Sequence, residues 1–108
     1  MSSKFLATQN KGFQLTFENG WTISVQWGPG NYCSNGGNVP NPWDWKSRPE
    51  NYEAVTAEIA IWDSNGDWLD FSTHSMGTNQ VKGFCDVAEV VEWIDKVSKF
   101  SEDTIRKV

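Results

Sequence analysis

The chain of 108 residues has one histidine and two cysteines. A closed structural zinc site needs four Cys or His ligands at short spacings. Cys33, His74 and Cys85 offer three, with no C-x-x-C pair, so neither a metal nor any other cofactor is expected. No apolar run approaches the roughly 20 residues that cross a bilayer, and the opening MSSKFLATQN lacks the apolar core of a secretion signal. Two thiols without an export signal are expected to be reduced, in a cytoplasmic setting. Basic residues are scarce too: nine Lys and Arg face fourteen Asp and Glu, a net charge of −5. That excludes a general binder of extended nucleic acid, which needs a basic stripe. A local pocket for a small anion, or a basic protein partner, stays open. Prolines are confined to positions 29–49.

What the chain has is aromatic mass. Seven tryptophans bring the aromatic share to 14%, so a few large rings supply much of a small core. This length fits a single domain, residues 1–108, since two would each lack an interior.

The run FQLTFENGWTISVQW alternates apolar and polar residues on both sides of a turn, the pattern of a β-hairpin. A two-residue Asn19-Gly20 loop would set apolar residues opposite polar ones. A three-residue Glu18-Asn19-Gly20 loop instead pairs Phe17 with Trp21, Leu15 with Ile23 and Phe13 with Val25. Only the second register builds one apolar face, with Gly20 left-handed in a bulge. The run EAVTAEIAIWDSNGDWLDF repeats the logic. Val55, Ala57, Ile59 and Ile61 share a face, a Ser64-Asn65-Gly66 loop pairs Ile61 with Leu69 and Ile59 with Phe71, and Trp62 lies opposite Trp68 on the other face. Downstream, Asp86 followed by Glu89 reads as a capping box, and Cys85 and Val90 as a hydrophobic staple. Val87, Val90, Val91, Ile94 and Val97 then follow helical spacing. The expected fold is two-layer α+β: an antiparallel sheet from two β-hairpins, with one C-terminal helix packed on one face.

Between the hairpins lies GPGNYCSNGGNVPNPWDWKSRPENY, residues 28–52, far longer than an ordinary connection. Its aromatics argue against simple disorder. Gly28, Gly30, Asn31 and Asn35 are turn chemistry able to aim backbone N–H groups at an anion. Tyr32, Trp43, Trp45 and Tyr52 offer ring faces, and Lys46 and Arg48 offer charge. Together they suit a small nucleotide-like ligand, although no established phosphate motif is present; as an alternative, Trp43 and Trp45 lid the core. The segment STHSMGTNQ, with His74, would add hydrogen bonds if it folds back near this loop. Trp62 and Trp68, in a polar surround, read either as an interface, including one between copies of the chain, or as rings that the loop covers. A Cys33–His74 pair with Asp63, Asp67 or Asp70 lacks any local support for a nucleophilic triad, and a non-enzyme is expected.

At F-x-L-T-F-E-N-G-W-T-I-S-V-Q-W-G-P-G-N-Y-C-S-N, residues 13–35, the chain resembles a group of small, uncharacterised proteins of tailed bacteriophages and prophages. The resemblance brings no catalytic residues and implies context only, that of counter-defence in the host cytoplasm. Two modes fit: sequestering a nucleotide-derived immune signal, or docking as an acidic inhibitor on a host defence protein. A minor phage structural or assembly component is the third reading.

Overall fold

A computed structural model describes residues 3–8, 11–28, 31, 33–34, 53–74, 77–78 and 80–101. Five antiparallel strands, β1 (Lys4–Ala7), β2 (Gly12–Thr16), β3 (Thr22–Gln26), β4 (Ala57–Trp62) and β5 (Lys82–Cys85), lie in the order β1-β2-β3-β4-β5. One helix, α1 (Val87–Ser98), packs on β3 and β4. The fold is α+β, as the patterning predicts, and no helix among the described residues is long and apolar enough to cross a membrane.

The first hairpin has the expected register, with Phe13 opposite Val25 and Leu15 opposite Ile23. Its three-residue turn is closed by Phe17 N–H donating to the Trp21 carbonyl at 2.9 Å, and Gly20 takes φ 89°. The second turn repeats this geometry: Asp63 N–H donates to the Asp67 carbonyl at 3.0 Å, Gly66 has φ 83°, and Trp62 pairs with Trp68. Beyond that pair the second hairpin departs from expectation. Leu69 N–H still reaches the Ile61 carbonyl at 2.7 Å, but Ile59 lies opposite Lys82 rather than Phe71. The Asp70 carboxylate accepts from Ser72 N–H at 2.8 Å and turns the chain. Leu69 and Phe71 are fully buried, and Phe71 meets Trp93 edge-on at 5.2 Å. β5 takes the vacated edge, with a bulge that puts Phe84 at φ 55°.

Residues opposite one another across a ladder point to the same face. One row therefore runs Phe5–Leu15–Ile23–Ile61 under the helix and out to the sheet edge. Ile23 and Ile61 are fully buried, while Phe5 is 89% exposed. The helix contributes Val90, Trp93 and Val97 to the core. The expected stripe is corrected here: Val87 and Val91 are exposed, at 73% and 58%, and Val55 at 75% lies short of β4. Rotating α1 to bury Trp93 removes more apolar area from water than burying either valine would. Asp86 caps α1 by accepting from Glu89 N–H at 2.8 Å. The Glu89 carboxylate does not complete a capping box; it pairs with Lys82.

Asn19 ties the two layers together. Its Nδ2 donates to the carbonyls of Val97 and Phe100, each at 2.9 Å, and its Oδ1 accepts from Trp21 N–H at 3.0 Å. The turn residue thus adds two side-chain donors at the C-terminal end of the helix, where carbonyls lack a full set of intrahelical partners. Asn19→Asp, which loses both donors and sets a negative charge at the negative end of the helix dipole, is expected to destabilise by about 2 kcal/mol, more than Asn19→Ala. Urea unfolding of both variants checks this order.

Gly12, at φ 152°, combines a steric with a conformational need, and Gly66 has the second alone. A Cβ on Gly12 would lie 1.9 Å from the Val25 carbonyl oxygen, whereas one on Gly66 would meet nothing within 4 Å. Gly66→Ala is expected to cost about 1 kcal/mol, from its left-handed backbone alone. Gly12→Ala should cost about 3 kcal/mol or more, because backbone must move. Equal shifts in unfolding midpoint for the two variants would contradict this packing.

Candidate functional site

The helix covers one face of the sheet, and the other face carries a concavity of about 360 Å³. Alternation along β2, β3 and β4 brings Gln14, Ser24, Gln26, Glu58 and Ala60 to this face, and Thr8, Asn31, Ile59, Val81, Trp62 and Trp68 complete the wall. Trp62 and Trp68 stack with centroids 4.9 Å apart and planes inclined by 29°. Gln26 is held in place: its Oε1 accepts from the Thr8 hydroxyl at 3.0 Å and its Nε2 donates to Ser24 Oγ at 3.1 Å. The wall therefore combines flat aromatic surface with pre-oriented amides and hydroxyls. Among the described lining residues there is one carboxylate and no cation.

The expected site residues separate. Asn31, from the loop, and the Trp62–Trp68 pair line this one cavity. Asn31 is oriented by Nδ2 donating to the Trp27 carbonyl at 3.0 Å. Gly28 is buried at the loop's root, at φ 92°. The N–H groups of Gly28 and Asn31 are spent within the loop, on Cys33 Sγ at 3.2 Å and on the Gly28 carbonyl at 3.3 Å. Those two N–H groups are therefore already engaged, and the rest of the expected nest, with Gly30 and Asn35, lies outside the described residues. His74 lies on the helix side, its ring edge-on to Phe71 at 5.8 Å and to Trp93 at 5.6 Å. Gly30, Tyr32, Asn35, Trp43, Trp45, Lys46, Arg48 and Tyr52 lie outside the described residues. The loop's two roots are pinned together: Ser34 N–H donates to Thr56 Oγ1 at 2.8 Å, and Val55 N–H to Ser34 Oγ at 3.0 Å.

Gln14, Gln26 and Thr8 as site residues were missed from sequence. Their signal was the polar half of the strand alternation, which marks a face without saying that the face is concave.

The thiols have structural surroundings. Cys33 is buried at the loop root. Cys85 is buried beside Lys82, whose Nζ also pairs with Glu89. Burial pushes the Cys85 thiol up to about 11, against a partial downward pull from the Lys82 ammonium. Burial alone would lower Lys82, but the Glu89 hydrogen bond and the negative charge available at Cys85 and Glu89 outweigh it, leaving Lys82 raised. Among the described residues, no three His, Cys, Asp or Glu side chains gather as a metal site.

A raised folded-state value means that the native protein holds its proton longer than the unfolded chain does. Stability is then full below the ordinary value and falls as pH rises. For Cys85 the window runs from 9.0 to about 11, and the loss across it is expected to be about 2 kcal/mol. Lys82 acts in the same direction at the top of the window. Urea midpoints measured from pH 8 to about 11 should drop, and Cys85→Ala should flatten most of the drop. An unchanged slope in that variant would contradict the assignment.

No family model, no curated protein and no solved structure matches this chain.

Proposed function

We propose that the protein works by stoichiometric binding without turnover, and that it holds a small polar ligand of the nucleotide-derived class in the cavity on the open sheet face. The observation that supports this reading most is the convergence of Asn31 with the stacked Trp62–Trp68 pair on one concavity. Its volume of about 360 Å³ lies within the range of small-molecule sites. An indole face stacks a base, and the side-chain amides of Gln14 and Asn31 suit its hydrogen-bonding edge. Lys46 and Arg48 of the loop are the cations assigned to phosphate. In the setting that the phage resemblance implies, sequestering such a ligand in the host cytoplasm would disarm a nucleotide-signalled defence.

A second reading is favoured by the exposure of Trp68, at 39%, on a chain of net charge −5. Here the same face docks on a basic host defence protein, and association would slow steeply with added salt.

Thermal unfolding followed by tryptophan fluorescence, with cyclic di- and trinucleotides, cyclic ADP-ribose isomers and mononucleotides, tests the first reading. A bound class at about 100 times its Kd is expected to add roughly 2.7 kcal/mol of stability. Trp68→Ala should then weaken binding roughly tenfold or more, in line with the loss of one stacking contact. No shift with any class, or a Kd unaltered in Trp68→Ala, would contradict the pocket.

A further inference from the structure

The two edges of the sheet are built differently. β5 carries a bulge with Phe84 in the left-handed region, a device that spoils an edge for further pairing. β1 has a continuous register with β2, and its sequence KFLA carries no proline. Its four residues are all exposed, with Phe5 at 89% and Leu6 at 49% on opposite faces.

The hydrogen bonding shows which backbone groups are open. Thr8 N–H donates to the Gly12 carbonyl at 3.1 Å. Antiparallel ladders alternate between bonded and non-bonded pairs. Lys4, Leu6 and Thr8 therefore bond inward to β2, while the N–H and C=O groups of Phe5 and Ala7 point away from the sheet.

We infer that a second copy of this chain adds its β1 antiparallel to this one, about a two-fold axis through Leu6, making one continuous sheet across two protomers. This register sets Phe5 of each protomer opposite Ala7 of its partner. All four outward groups on each side, the N–H and C=O of Phe5 and of Ala7, are then paired, giving four N–H···O bonds. A large ring meets a small residue on the helix-side face, and Leu6 meets Leu6 on the other. Lys4 falls opposite Thr8 of the partner, so no like charges meet, although the chain as a whole is acidic. The apolar row Phe5–Leu15–Ile23 continues from the core to this edge, and a two-fold pairing returns that row to cover. An isologous contact closes after two copies. Strand-edge contacts lie at the small end of specific interfaces, below about 1,200 Å², so the association is expected to depend on concentration.

Sedimentation velocity on the wild-type chain across a concentration series reads the result. The expected outcome is conversion from the 12.2 kDa monomer to a species of twice that mass. Ala7→Pro removes an outward N–H and no bond to β2, and Leu6→Lys places two ammonium groups on the axis. Both should remain monomeric at concentrations where the wild type dimerises, with unaltered circular dichroism. If Ala7→Pro misfolds, Leu6→Lys decides. A wild type that stays monomeric to about 1 mM, the weak end of specific association, overturns the inference. So does a folded Leu6→Lys that dimerises as the wild type does.

Discussion

A single helix is about 10 Å wide, and five strands spaced by about 4.8 Å span nearly twice that. Much of this molecule follows from the mismatch. α1 covers β3 and β4, and there Ile23, Ile59, Ile61 and Val97 lose all contact with water. Toward β1 the same apolar row emerges from under the helix, and edge-to-face rings such as Phe13 and Trp27, 6.3 Å apart, give it partial shelter. The opposite face has no helix among the described elements, and that face holds the cavity walled by Trp62, Trp68 and Asn31. Scaffold and candidate site are thus the two sides of one sheet.

The helix stays in place through few contacts, and these sit at its ends as well as its middle. Asp86 and the Lys82–Glu89 pair hold the first turn. Asn19 holds the last, and Trp21 and Phe100 close over it, with centroids 5.0 Å apart. Between them, Trp93 wedges against Phe71 and His74, and the Lys96 ammonium lies 4.6 Å over its ring. The hairpin turn that sets the register of β2 and β3 is also the group that positions the helix. Local turn chemistry and tertiary packing share one residue, Asn19.

That double role marks where sequence reading succeeds and where it stops. Period-two alternation around ENG and SNG, with the demand for a single apolar face, specified two turns and one full register. The helix was legible from Asp86 and the downstream valines. Its rotation was not, because Val87-Val91-Ile94 and Val90-Trp93-Val97 both satisfy helical spacing, and only the sheet beneath decides between them. β1 is four residues long, too short to show a period, and β5 hides behind an internal Gly83 and a bulge. The turn at Asp70 diverts Leu69 and Phe71 into the core, which local alternation could not foresee. For the site, the Trp62–Trp68 pair was legible from hairpin register. Its meeting with Asn31 was not, since it depends on Ser34, Val55 and Thr56 pinning the roots of the long loop.

The central claim is that the face opposite the helix is the binding face. Nuclear magnetic resonance of the isotope-labelled chain, titrated with the nucleotide panel, tests it residue by residue. The account predicts that shift changes gather at the side-chain amides of Gln14, Gln26 and Asn31 and at the indole N–H signals of Trp62 and Trp68, with Val90, Trp93 and Val97 unmoved. Changes confined to the exposed valines Val55, Val87 and Val91, or none with any ligand, would contradict it.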